Sequence, residues 1–394
     1  MNWLDLIVSK KEKFVIGLMS GTSMDGIDAV LIKITGSGQK TEVEIISFNT
    51  FDYSKEIKKK LEYINNNFNL KTISDLNFLI GKEFANAALN IIELSGVKKS
   101  EIDLIGSHGQ TVFHNPPSNN DQAISTLQIG ELDIICQKTG ITTVGDFRTR
   151  DMAANGEGAP LIPYIDYILF NKLDKNIIAQ NIGGIANCTF VNQYIEDMIA
   201  FDNGPGNSLI DSVMFLVSNG DRNFDKDSEE SLKGEVCVDL LKDMLKDPYY
   251  EKPPPKSTGK EYFGLQKANE LYDLTRKGSI KLNDLLATLV ELTAETISNS
   301  YEKFIFPYHE VEEIILSGGG SHNPHLVNSL KQKLSPVPIS YSNEYGISVD
   351  AKEAIGFAIL ANETVHGIPS NIPSVTGADM KVPLGKICIG NNLL

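Results

Sequence analysis

Twice in this chain a short apolar run, a polar loop rich in glycine and small side chains, and a second apolar run follow one another. That repeated unit constrains the fold more than any other feature. Phe14 to Leu18 enters Ser20-Gly21-Thr22-Ser23-Met24-Asp25-Gly26 and resumes at Ile27 to Ile34, and Ile177 to Ala179 leads through Asn181-Ile182-Gly183-Gly184-Ile185-Ala186-Asn187 into Cys188 to Val191. Each reads as strand, turn and returning strand. Their recurrence in form, though not in letters, predicts a structural duplication. Helical spacing over Leu76 to Ile92 and over Leu285 to Phe304, a final helix over Ala351 to Val365, and compact apolar runs at Ile102 to Ile105, Ile141 to Val144 and Glu313 to Leu316 make the class α/β. The hairpins exclude a simple all-parallel winding.

With 394 residues the chain is long enough for two or three domains. The pattern restarts at Ile141, which places one domain over residues 1–140, joined by a C-terminal segment 367–394, and a second over 141–366. Met1 to Lys13 reads as an appended extension without chemistry, because fold signals begin at Phe14. Residues 221–235 and 248–260 read as loop-like insertions.

An excess of 51 acidic over 36 basic side chains, net charge −15, opposes general attraction to nucleic-acid backbones or anionic membranes. Cys136, Cys188, Cys237 and Cys388 form neither a C-x-x-C pair nor a zinc-type spacing. No apolar run approaches the roughly 18 residues that span a bilayer. Reduced thiols and a cytoplasmic location are expected.

Four glycine-bearing polar turns each follow an apolar strand: Ser20 to Asp28, Asn181 to Asn187, Asp202-Asn203-Gly204-Pro205-Gly206-Asn207, and Ser317-Gly318-Gly319-Gly320. Glycine lets backbone N–H groups approach an anion, and Ser and Thr add hydroxyl donors, so the set suits phosphate. Neither G-x-x-x-x-G-K-[ST] nor a strand-borne G-x-G-x-x-G accounts for them. Asp25, Asp28 and Asp202 lie within these turns, where carboxylates beside phosphate fit either a hydrated magnesium ion or a base for a nucleophile; turn and capping chemistry explains Asp25 and Asp202 equally simply. His108 and Gln110, in Ser107 to Thr111, follow a buried strand and suit hydroxyl or amide recognition, or else His108 is a satisfied structural histidine. Asp146, Arg148 and Arg150 form a charge cluster able to bind a carboxylate, or else an ion-pair network. Glu353 opens the last helix, where the dipole also favours an acid.

These segments, with Gly17-Leu18-Met19, Leu127-Gln128-Ile129-Gly130, Asp146-Phe147-Arg148, Gly158-Ala159-Pro160-Leu161 and Lys256-Ser257-Thr258-Gly259, resemble in order the motifs of the anhydro-N-acetylmuramic acid kinase family. The resemblance implies two related actin-like (ribonuclease H-like) domains that close over ATP in a central cleft. It also implies a coupled reaction in which water opens the 1,6-anhydro ring of 1,6-anhydro-N-acetylmuramic acid while O6 takes the γ-phosphoryl group. Asp202 would be the base for water, and Glu353 would help hold the sugar and water. Gly21, Thr22, Ser23, Met24, Asp25, Gly26, Ile27 and Asp28, with Gly183, Gly184, Gly204, Gly318, Gly319 and Gly320, would bind ATP. Asp25 would face magnesium through water. Ser107, His108, Gln110, Asp146, Arg148 and Arg150 would meet the sugar, with Arg148 or Arg150 on its lactyl carboxylate. Partners are then a small sugar, without nucleic acid or membrane, and a homodimer is left open. An ordinary sugar kinase using Asp202, and a non-enzymatic ATP-dependent clamp, are the competing readings.

Overall fold

The first apolar run becomes β1 (Glu12–Ser20) and turns back as β2 (Gly26–Thr35), followed by β3 (Glu42–Asp52), β4 (Ile102–Asn115), β5 (Ser125–Ile129) and β6 (Thr143–Gly145). The chain continues through β7 (Ile177–Ile182), β8 (Ile185–Val191), β9 (Ile199–Pro205), β10 (Glu313–Ser317), β11 (Ile339–Tyr341) and β12 (Lys386–Cys388). The structure is a computed structural model that describes residues 3–21, 24, 26–66, 69–116 and 123–393.

Two mixed sheets result. One runs β12-β6-β4-β1-β2-β3, with β5 paired to β4; the other runs β11-β10-β7-β8-β9. In the first, β1/β2 and β2/β3 are antiparallel while β1/β4 and β4/β6 are parallel. In the second, β7/β8 and β8/β9 are antiparallel while β7/β10 and β10/β11 are parallel. Strand for strand, order and polarity repeat: a meander of three strands, then two parallel additions beside its first strand. This is the duplication predicted from the two hairpins, and it gives the two related ribonuclease H-like halves.

The chain divides into Met1–Leu169 with Ala351–Leu394, and Phe170–Asp350. The expected boundaries at 140/141 and 366/367 are therefore displaced. Residues 141–169 stay in the first unit because β6 adds in parallel beside β4. Residues 351–366 stay there because the helix Lys352–Val365 lies directly on β1 and β4. Gly17 and Gly106 are register partners, and a Cβ on them would stand 1.9 Å from the Ala354 carbonyl oxygen and 2.0 Å from that of Phe357. Two glycines thus form the floor on which the helix rests.

The N-terminal extension belongs to this unit as expected, but it is packed into the fold rather than appended to it. It forms the helix Trp3–Val8, Ile7 is fully buried, Lys10 pairs with Asp103, and β1 begins before Phe14. In the core of the first unit, the helix Leu70–Ser95 buries Leu76, Ile80, Phe84, Ala88 and Ile91. Asn69 caps it, accepting from the Thr72 N–H at 3.1 Å, and Gly96 ends it at φ +71°. In the second unit, Leu285, Leu289, Leu292 and Ile297 of the helix Leu282–Phe304 pack against Ile178, Phe190 and Phe201 of the sheet.

Candidate active site

In the second unit three of the four glycine turns converge. The carbonyl of Gly183 accepts from the Asn207 N–H (2.8 Å), and that of Gly184 from Gly206 (2.9 Å) and Ser208 (3.0 Å). A Cβ on Gly318 would meet Asn181 Oδ1 at 2.5 Å, and one on Gly320 would meet Ile182 Cγ2 at 2.3 Å. The glycines therefore sort into two kinds. Gly204 (φ +151°), Gly318 (φ +81°) and Gly320 are required by backbone conformation or packing. Gly183 and Gly319 face open space, with nothing nearer than 3.6 Å and 4.0 Å to an added Cβ, and theirs is the backbone a phosphate can approach. The exposed Lys260 lies across Gly184, its Cε 2.7 Å from where a Cβ would stand.

Asp202 sits beside this cluster on β9, the edge strand. Side chains alternate across a strand, so Phe201 and Asn203 turn into the core and Asp202 away from it. Asn203 is fully buried and saturated by Gln180 Nε2 (3.1 Å) and Ser300 Oγ (2.8 Å). The free edge at Asp202 is covered by a segment that sequence reading assigned to an insertion. The Asp202 N–H donates to the Lys256 carbonyl (3.1 Å), the Tyr249 hydroxyl donates to the Asp202 carbonyl (2.8 Å), and the Thr258 N–H donates to Oδ2 (2.9 Å). Among the described residues no hydrogen bond goes to Oδ1. Burial pushes this carboxyl up to about 7, opposed by the Thr258 N–H and Lys256 and reinforced by Glu261. One carboxylate oxygen is thus anchored and, among the described residues, the other accepts no hydrogen bond, an arrangement that leaves it able to accept a proton. Burial also raises Asp211, in the first turn of the helix Ser208–Val217, to about 7, with Lys260 opposing the shift and Asp225 adding to it.

In the first unit Glu353 occupies the first turn of the helix Lys352–Val365. Burial pushes its carboxyl up, Lys352 opposes this, Asp28 adds to it, and Arg148 opposes it. Arg148 is held in place. Its Nε and Nη2 lie 3.1 and 3.0 Å from His108 Nε2, and Nη1 donates to the Gly158 carbonyl at 2.9 Å. His108 Nδ1 lies 3.0 Å from the Gly109 carbonyl and so carries the proton, leaving Nε2 to accept. Burial and Arg148 hold this imidazole well below its usual range, hence neutral. Its ring lies 4.6 Å from that of Phe357, one helical turn beyond Glu353. Burial lowers Arg148 only to about 10, with Glu353 opposing, so it stays charged.

Several expected ligand residues have other duties. The segment Gly106 to Thr111 is not a loop after a strand but the middle of β4. Ser107 is fully buried there, and its hydroxyl has no hydrogen-bond partner among the described residues. Gln110 is fully buried and clamps the first hairpin, its Oε1 2.7 Å from Ser20 Oγ and its Nε2 donating to the Gly21 carbonyl at 3.1 Å. Asp146 (φ +56°) pairs with Lys386. Arg150 is exposed on the short helix Thr149–Ala153, so Arg148 is the arginine beside Glu353. In the first hairpin Gly21, Met24 (φ +56°), Gly26, Ile27 and Asp28 are described, with Thr50 Oγ1 donating to Asp28 at 2.6 Å. The assignments of Thr22, Ser23 and Asp25 lie outside the described residues. Sequence reasoning missed Tyr249, Asp211 and any role for Lys256; the Lys256-Ser257-Thr258-Gly259 motif was the available signal.

A family model described as anhydro-N-acetylmuramic acid kinase matches residues 13–390. A relative of that name from Caldanaerobacter subterraneus subsp. tengcongensis is 46% identical over 396 residues, covering 99% of this chain and all of its own. One from Bacillus cereus strain AH820 is 44% identical over 383 residues, covering 95% and 98%. Among solved structures, component A of the Acidaminococcus fermentans (R)-2-hydroxyglutaryl-CoA dehydratase aligns over 90% of this chain and 99% of its own, with 12% identity and a TM-score of 0.47. No helix among the described residues is long and apolar enough to cross a membrane. The chain belongs to the anhydro-N-acetylmuramic acid kinase family and is a phosphotransferase that uses ATP.

Proposed function

We propose that the enzyme converts 1,6-anhydro-N-acetylmuramic acid, ATP and water into N-acetylmuramic acid 6-phosphate and ADP. The observation that carries this reading is Asp202: a carboxylate with one oxygen fixed by Thr258 and the other free, beside glycines whose backbones are open to phosphate. Asp202 takes a proton from water as the water oxygen bonds to C1. The C1–O6 bond breaks, O6 bonds to the γ-phosphorus, and ADP leaves. Glu353 orients the sugar and water, and Arg148, fixed by His108, meets the lactyl carboxylate.

ATP fits the open backbone at Gly183 and Gly319. Magnesium, an ion that usually arrives with phosphates and keeps its waters, is proposed to accompany ATP. Asp25 is the residue proposed to meet it. Magnesium would offset charge on the β- and γ-phosphates. A cytoplasmic setting is part of this proposal, and a homodimer is left open.

The test is ADP release in the presence of ATP and magnesium, with and without the anhydro sugar. Sugar-dependent release with a sugar 6-phosphate product supports the reading. ADP release only with an ordinary sugar hydroxyl as acceptor would replace it by a simple kinase. The pH profile adds a check. Asp202 must be ionised to accept a proton, so kcat/KM rises with pH through about 7 and levels above it. Because Asp211 titrates in the same range, the limb is assigned with Asp211→Asn, which is expected to retain it; its disappearance in that variant would assign the limb to Asp211.

A further inference from the structure

We propose that Lys256 is a positioning residue for this reaction, holding the Asp202 peptide in place from an aromatic cage and setting a positive charge beside the base. The inference rests on the reading of Asp202 as base. Lys256 is 9% exposed, and its Nζ lies 4.9 Å from the ring centroids of Tyr249 and Phe304 and 5.7 Å from that of Phe201. The ammonium also sits 3.4 Å from the carbonyl oxygens of Tyr249 and Tyr250. No carboxylate forms an ion pair with it among the described residues.

This arrangement is costly unless the charge is used. A buried ammonium loses hydration that cation–π contacts and two long hydrogen bonds only partly return, whereas Met or Leu would fill the same cage at no such cost. The cage residues are also the ones that hold the base. Tyr249 forms one wall and donates to the Asp202 carbonyl, Phe201 forms another and precedes Asp202 in the chain, and the backbone carbonyl of Lys256 accepts the Asp202 N–H. Two residues on, Thr258 fixes Oδ2. The caged side chain thus anchors the segment whose backbone holds both the peptide and one carboxylate oxygen of the base.

The charged and titratable groups facing this pair are few. Asp202 meets Lys256, Glu261, the Cys188 thiol and the Tyr249 hydroxyl. Lys256 meets Asp202, Glu251, Lys303 and the Cys188 thiol, which burial keeps protonated. Of these, Lys256 is the one cation that favours ionised Asp202, and Glu261 works against it. Burial lowers Lys256 itself to about 8, so it is charged throughout the acid limb.

The test compares kcat and kcat/KM of the full-length enzyme from pH 5.5 to 7.5, with ATP, magnesium and the anhydro sugar, for Lys256→Met and Lys256→Arg. The Met variant is expected to lose at least tenfold in kcat at pH 6.5 and to move the acid limb upward by about one pH unit; the Arg variant is expected to hold the limb in place. A lowered kcat with an unmoved limb would reduce Lys256 to a structural residue, and unchanged kinetics would dismiss it. If too little Lys256→Met folds, Lys256→Gln, which can still donate to the Tyr249 and Tyr250 carbonyls, is read in the same way. Retained turnover in Asp202→Asn would overturn the base assignment itself, an outcome separate from any result at Lys256.

Discussion

Replacing Asp202 by Asn lowers kcat by about 10³-fold while the dissociation constant for ATP changes by less than about threefold. General-base catalysis contributes roughly 10² to 10⁴, and an amide in this position has the shape of the carboxylate without its basicity. The Thr258 N–H can still donate to the amide oxygen, and the Lys256 and Tyr249 contacts go to the backbone of residue 202. The folded state should gain from the change at high pH. A carboxyl raised to about 7 by burial stabilises the fold in its protonated form; that contribution is complete below the ordinary carboxylate range and is lost as pH rises through about 7. The Asn variant therefore melts higher than the parent at pH 8, and the difference vanishes near pH 4. Turnover at the parental rate would show that Asp202 is not the base.

The second large effect is structural. Gly106→Ala destabilises the first unit by about 3 kcal/mol, at the upper end of the usual cost of overpacking, and lowers the melting temperature by roughly 6–12 °C for a unit of this size. The new methyl would stand 2.0 Å from the Phe357 carbonyl oxygen, 2.7 Å from its carbon and 2.9 Å from Ala361 Cβ. These are backbone and core atoms that cannot swing aside. The helix cannot tilt away over Gly106 alone, because the neighbouring strand holds it equally closely at Gly17. Since that helix carries Glu353 and Phe357, the ring against His108, activity falls along with stability. Gly319→Ala is the contrast: with only Asn207 Nδ2 at 4.0 Å from its Cβ, it is expected to leave the melting temperature within about 2 °C and to raise KM for ATP. An unchanged melting temperature for Gly106→Ala in a denaturation experiment would mean that the helix does not rest on the strands as closely as described.

The duplicated hairpin was legible because it is local. Apolar runs and a glycine turn are neighbours in sequence, and their pairing in β1/β2 and β7/β8 needs no distant partner. The division into units was not, since it depends on which strand β6 joins, 38 residues back along the chain, and on where the last helix lands, against strands more than two hundred residues away. Polar letters misled at Gly106 to Thr111, where a polar cluster reads as the end of a strand. In the fold it is the strand's middle, made tolerable because Gln110 is hydrogen-bonded to the first hairpin and Gly106 makes room for a helix. Charge misled at Asp146, whose partner Lys386 lies near the far end of the chain. At the site, the turn bearing Asp202 was visible from its composition. The clamp around it was not: Phe201, Tyr249, Lys256 and Phe304 are scattered along the chain, and only the fold collects them into a cage.

The most direct test of the central claim is mass analysis of the sugar product formed from the anhydro sugar, ATP and magnesium in oxygen-18 water. Ring opening by a water that Asp202 deprotonates places the heavy oxygen at C1 of the 6-phosphate, and the product analysed before anomeric exchange carries one label there. A phosphorylated product with no solvent oxygen at C1 would contradict the coupled reaction and leave an ordinary phosphoryl transfer to a hydroxyl.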